Sequence, residues 1–185
     1  MSDHWETVTD SGRLPAAGWW PLIIQLLATG FMTGLIWFVQ LVHYPMMEGW
    51  PHDDFGRWEL AHRDRTGPVV IPPMLAEGAA AAWLFIRRPR GIPAWLPLLG
   101  LGLLTGIWAS TFFLQVPCHL KLSTGWDAAT HRLLVQSNWI RTVLWSARLG
   151  VAVAMLVRYQ PSGRAGDYLH LEAGSGSDRT GRTFD

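Results

Sequence analysis

Four long stretches of the chain carry almost no charge, and they fix its class. Counting histidine as neutral, residues 14–47 and 91–120 hold no charged side chain. Residues 66–86 contain only Glu77, and residues 133–157 only Arg141 and Arg148. A helix needs about 20 apolar residues to cross ~30 Å of hydrocarbon, and each stretch is long enough. A helix on a water-soluble domain would show a charged face over such a length. The pattern predicts an all-α integral membrane protein, a four-transmembrane-helix bundle with helices over about 21–44, 66–86, 93–117 and 133–157. Residues 18–160 form that domain, residues 1–17 a cytoplasmic N-terminal segment. Residues 161–185, rich in Gly, Ser, Asp and Arg, form a disordered cytoplasmic tail.

Proline sets the expected ends. Pro21 suits a first helical turn, Pro45 stops helix one, and Pro117 lies near the end of helix three. Pro68, Pro72 and Pro73 predict that the first half of helix two is kinked or partly unwound. The preceding connection mixes Trp50, Phe55 and Trp58 with charges, as a short helix lying on the end of the bundle would.

Helix one reads Thr33-Gly34, Trp37, Gln40, His43 and then Gly49-Trp50; around helix three stand Thr105-Gly106, Trp108, Gln115, His119 and Gly125-Trp126. His62-Arg63 and His131-Arg132 lead into the helices that follow. This is the pattern of a diverged tandem repeat of a helical hairpin. Two such hairpins would be related by a pseudo-two-fold along the membrane normal.

Charge orients the bundle and narrows its partners. The connection Arg87-Arg88-Pro89-Arg90 is the strongest cytoplasmic marker, because positive loops stay inside. Both termini then fall on that side, which collects eight Arg against four Arg and one Lys opposite. The expected location is the bacterial cytoplasmic (inner) membrane, multi-pass, with both termini cytoplasmic. The first apolar run begins too late and runs too long for a cleaved signal peptide. A net charge of +1 offers no basic field for nucleic acid. A single cysteine, Cys118, excludes an internal disulfide framework and any multi-cysteine metal site. Twelve Trp is a high count; many lie where an aromatic belt belongs.

Five histidines, His43, His52, His62, His119 and His131, stand at or beyond the same ends of the helices. A pseudo-two-fold would set His43 opposite His119 and His62 opposite His131. Four imidazoles from four helices could gather near the axis, where bundles build metal and cofactor sites. The expected ligands are His43, His62, His119 and His131, with Glu77, for a transition metal, copper or iron, or for a haem. Cys118, Met46 and Met47 beside them would favour copper. The plainer alternative is that these histidines are interfacial. Glu77 lies in depth between Arg141 and Arg148, so it serves either as metal ligand and proton carrier or as an internal ion-pair partner. Arg141, Asn138, Trp139, Gln40 and Gln115 are candidate substrate-binding residues for an anionic or carbonyl-bearing molecule. The same polar residues could equally serve as interhelical glue.

Gln115-Val-Pro117-Cys-His119-Leu at the end of helix three and Asn138-Trp139-Ile-Arg141-Thr in helix four carry a resemblance. The chain resembles bacterial four-helix membrane proteins grouped with anthrone-oxygenase-like proteins, over roughly residues 33–148. That group often has Asn two residues after the proline, where His119 stands here. The resemblance implies a compact four-helix membrane fold and oxygen or redox chemistry on a lipophilic aromatic or quinone-like substrate. The expected protein is therefore a small membrane metalloprotein or oxidoreductase in a lipid bilayer. Its rival is a non-catalytic accessory subunit of a larger respiratory or photosynthetic membrane complex, or a homo-oligomer.

Overall fold

The computed structural model describes residues 18–160; the expectations for residues 1–17 and 161–185 lie outside the described residues. Four helices account for the fold: α1 (Trp20–Met47), α2 (Phe55–Ile86), α3 (Trp95–Leu122) and α4 (Ala128–Arg158). All four are long and apolar enough to cross a membrane, and no strand occurs among the described residues. The protein is an all-α membrane bundle.

The helices form a ring. α1 packs along both α2 and α4, and α4 along α3, whereas α2 and α3 meet over much less of their length. The backbones of α1 and α3, and of α2 and α4, stay apart across the diagonals. The α2–α3 seam is the loose one, and the candidate site lies there.

Each helix runs longer than its predicted span. α2 begins with a 3₁₀ turn, His52–Asp54, and continues without a break from Phe55. The expected short helix lying across the end is instead the first part of α2. Nor do Pro68, Pro72 and Pro73 unwind it; the helix passes through all three. Each proline still removes one intrahelical N–H donor, so three bonds are missing within six residues of the segment that faces the loose seam.

Pro45 does not end α1 either. In α1 a five-residue π-helical turn, Val39–His43, precedes the last segment Tyr44–Met47. In α3 the turn Thr111–Gln115 precedes Val116–Leu122. Pro45 and Pro117 each stand two residues after their π turn. The wider i→i+5 turn gives the proline ring room that an α-helical carbonyl would take. It also inserts one residue, rotating everything beyond it by about 100°. That rotation re-aims Tyr44 and His119, and the same π turn with a proline two residues on occurs in both α1 and α3.

Three apolar clusters fill the interior. At the end bearing Arg87, Arg88 and Arg90, Leu22, Leu84, Ile92, Leu96, Val151 and Met155 pack together. Met32, Ile36, Ile107 and Trp145 occupy the middle. At the histidine end lie Tyr44, Met47, Phe55, Cys118, Leu122 and Leu134. Large apolar side chains such as Leu27, Phe31, Phe113 and Val143 point outward, as lipid-facing surfaces require. The arginine end carries an interfacial belt: Trp20 and Trp83 rings lie 5.6 Å apart, Arg87 covers Trp83 at 5.6 Å, and Arg158 covers Trp95 at 5.7 Å.

Two glycines are required by geometry. A Cβ on Gly56 would stand 2.8 Å from the Ser123 carbonyl oxygen, so only glycine lets α2 start against the end of α3. Gly91 turns the α2–α3 connection at φ +83°, where its backbone presses on the end of α4.

Candidate functional site

Two buried polar clusters sit in the two halves of the bundle. The first is centred on Glu77, fully buried in α2. Its Oε1 accepts from Thr29 Oγ1 of α1 at 2.6 Å and from Arg148 Nε of α4 at 2.5 Å. Its Oε2 accepts from Trp145 Nε1 at 3.2 Å. Arg148 also donates through Nη1 to the Gly100 carbonyl of α3. One ion pair with its satellites therefore joins all four helices. Glu77 is spent on this clamp and makes no contact with the histidines.

The second cluster lies at the histidine end. His43 Nε2 and His62 Nδ1 are 3.0 Å apart, their rings stacked at 4.5 Å. Thr66 Oγ1 reaches the same Nδ1 at 3.1 Å. The His62 and His119 rings follow at 5.4 Å. His119 Nδ1 meets Glu59 Oε1 at 2.6 Å, and its Nε2 meets the Tyr44 hydroxyl at 2.9 Å. The carboxylate accepts the Nδ1 proton and so fixes the tautomer, leaving Nε2 as the acceptor facing Tyr44. Gln115 Oε1 stands 3.2 Å from the same hydroxyl, whose one proton goes to the nearer His119 Nε2, and Gln115 donates to Ser137 at 2.8 Å. The result is a carboxylate–imidazole–phenol chain, Glu59–His119–Tyr44, with a histidine pair beside it.

This chain opens onto a cavity of about 480 Å³ at the α2–α3 seam, within the usual range for small-molecule sites. Tyr44, His62, Gln115, His119 and Arg141 line its polar wall; Met32, Ile36, Val70, Met74, Trp108 and Phe112 are among its apolar lining. Its rim residues Ile71, Leu75 and Phe112 are more than half exposed on the lipid-facing surface. The mouth therefore faces sideways, toward acyl chains.

The predicted residues divide cleanly. His43, His62 and His119 come together as expected. His131 does not join them: its Nε2 bonds the Tyr44 main-chain oxygen at 2.9 Å, and its ring packs on Trp126 at 5.0 Å. Arg141 and Gln115 reach the cavity. Gln40 and Asn138 instead pair with each other at 3.0 Å, and Gln40 donates to the Val135 carbonyl, tying α1 to α4. Trp139 lies on the outer surface, edge-on to Trp37 at 5.7 Å, away from the cavity. Cys118 and Met47 belong to the apolar core, and Met46 points outward.

The metal expectation meets this geometry poorly. Among the described residues no group of three or more His, Cys, Asp or Glu is arranged to hold a metal ion. Both nitrogens of His119 are engaged, and the nearest nitrogens of His43 and His62 face each other. Glu59, which sequence reasoning passed over, is the buried carboxylate that meets a histidine, where Glu77 was expected. The signal was available: Glu59 precedes His62 by three residues, one helical face apart, but only if helix two starts well before Thr66.

Fold and site together define a class: a polytopic membrane protein with a lipid-side cavity whose wall carries a carboxylate–imidazole–phenol chain. Beyond that class, the chain matches no family model, no curated protein and no solved structure.

Proposed function

We propose that the chain is a small membrane oxidoreductase that binds a lipophilic aromatic or quinone-like molecule in the α2–α3 cavity and moves a proton at its polar edge. One observation carries the reading: the Glu59–His119–Tyr44 chain ends on the wall of an apolar cavity open to lipid. In this arrangement His119, oriented by Glu59, takes a proton from a substrate hydroxyl or an acidic ring C–H through Tyr44. The deprotonated aromatic is electron-rich, the form that yields electrons to dioxygen, which enters as co-substrate, leaves one oxygen atom on the ring carbon and departs with the other as water. Gln115 holds Tyr44 in place, and Arg141 faces the same edge. The resemblance to anthrone-oxygenase-like proteins points to the same substrate chemistry. The histidine end faces away from the cytoplasm, following the arginine-rich α2–α3 connection.

The proximity of the His43, His62 and His119 rings, on three helices, supports a second reading: a transition metal, copper or iron, held there once it displaces the hydrogen bonds among them. One experiment addresses both. Anthrone oxidation is followed with the protein in lipid nanodiscs, alongside elemental analysis of the same material. The expected result is saturable turnover that falls about 10²-fold in Glu59→Gln and His119→Ala, with no stoichiometric metal. Stoichiometric copper or iron lost in His62→Ala would move the conclusion to the second reading. Absence of any saturable turnover would sink the first.

A further inference from the structure

Two arginines of α4 lie buried in the membrane domain, and only one of them has a counter-charge. Arg148 is paired with Glu77. Arg141, seven residues nearer the start of α4, is 8% exposed and lines the cavity. Among the described residues the carboxylates in contact with a basic side chain are Glu77 with Arg148, Glu59 with the His119 imidazole and Asp127 with Lys121, so no carboxylate reaches Arg141. Its Nε is buried without a hydrogen-bond partner. What it touches is the Trp145 ring, 5.3 Å from the guanidinium carbon, and the Tyr44 hydroxyl.

An intramembrane arginine without a counter-charge is costly and is placed where something meets it. The other charged residues of the cavity lining, Arg63 and Asp64, are one of each sign and lie at its histidine end, where Arg63 donates to Ser123. Arg141 is then the cation of the inner wall with no acid beside it; Glu59 stands behind His119 and does not line the cavity. Resting on the cavity reading above, we infer that its ligand is a monoanion: a flat apolar body carrying one carboxylate or phenolate that pairs with Arg141. A guanidinium offers a planar, bidentate match to a carboxylate. The apolar body lies between α2 and α3, against Val70, Met74, Trp108 and Phe112, and the molecule enters sideways from the bilayer. A phospholipid phosphate has the same charge, so the test must separate the two sources.

The test uses the full chain in phosphatidylcholine nanodiscs and a matched pair of probes, anthracene-2-carboxylate and 2-(hydroxymethyl)anthracene. Binding is read as energy transfer from tryptophan. The carboxylate is expected to bind about tenfold tighter, the value of one hydrogen-bonded charge contact. Arg141→Gln should abolish that preference, and Arg141→Lys should keep most of it. Ligand-free Arg141→Gln should melt no lower than the parent, because it removes an uncompensated charge. Equal binding of the two probes, or a preference that survives Arg141→Gln, overturns the anion site and leaves the cavity reading intact. If neither probe binds, both fall. Failure of Arg141→Gln to fold makes the guanidinium a structural element and also overturns the proposal. Adding phosphatidylglycerol to the discs should leave the preference unchanged; its disappearance would assign the anion to a lipid head group and overturn the small-molecule source.

Discussion

Glu77 and Glu59 are both fully buried carboxylates of α2, eighteen residues apart, each paired with a basic side chain of another helix. Their surroundings differ. Glu77 faces donors from α1 and α4, and its arginine partner reaches α3, so the cluster closes on itself. Glu59 holds one imidazole, which holds one phenol, and the phenol faces a cavity. Burial and pairing alone therefore do not tell the two acids apart. What separates the two is where the hydrogen-bond chain ends: in a backbone carbonyl, or in open volume.

The largest effect should come from breaking the closed cluster. Removing one member of a buried pair leaves an uncompensated charge, at about 3–5 kcal/mol, so Glu77→Ala or Arg148→Ala should lower Tm by roughly 10 °C. The double change Glu77→Leu/Arg148→Met should recover most of that loss, since an apolar pair of similar volume escapes desolvation. Thermal unfolding in detergent checks both. A single variant that melts like the parent would show that the clamp does not hold the helices together.

How much of this could be read from the chain follows from the kind of signal each feature leaves. The four spans were legible because lipid forbids charge over a fixed length, and that constraint needs no partner. The Glu77–Arg148 pair was legible as one of two options, since matching depth limits the partners. The helix ends were not. Phe55 to Arg65 carries Arg57, Glu59, Arg63, Asp64 and Arg65, which hydropathy reads as loop. A helix that emerges from the membrane is as helical as the part inside it. Taking α2 to start at Thr66 removed Glu59 from view and left His62 on an imagined connection. The π turns were hidden for another reason. They shift register by one residue, so counting in steps of 3.6 misplaces every side chain beyond Val39 and Thr111. Trp139, adjacent to Asn138 in sequence, looked like cavity lining but faces lipid with Trp37.

The second prediction tests the open end of the comparison. Ile71→Trp adds bulk at the cavity rim on a lipid-facing position and touches neither polar cluster. It should weaken anthracene-2-carboxylate binding about tenfold or more, the loss of roughly 1.4 kcal/mol of contact, with Tm unchanged within error. Val143→Trp, equally exposed on α4 but outside the cavity, serves as the control and should bind normally. Equal weakening in both would mean that the probe partitions into lipid around the bundle.

The smallest effect belongs to a half-exposed carboxylate, Asp127, which caps α4 where the chain turns in from α3. Its Oδ1 accepts from the Thr130 backbone N–H at 2.6 Å, and Lys121 Nζ lies 3.3 Å from its Oδ2. Hydrogen bonds from the Thr130 side chain and backbone, with Lys121 beside them, pull its pKa from 3.8 down to about 2. A group whose pKa falls on folding adds stability that is fully present above its unfolded value and is lost as pH drops through the folded one. The Asp127 contribution should therefore be constant from neutral pH to about 4 and vanish toward 2. Asp127→Asn keeps the cap's acceptor oxygen but not its charge, so its small deficit in Tm at pH 7 should disappear at the acid end. Glu77→Ala should retain a large deficit at pH 4, because Arg148 remains buried and charged whatever happens to Asp127. If the Asp127→Asn deficit were instead independent of pH, the cap would act through geometry alone, and the charge on that carboxylate would contribute nothing to holding α4 in place.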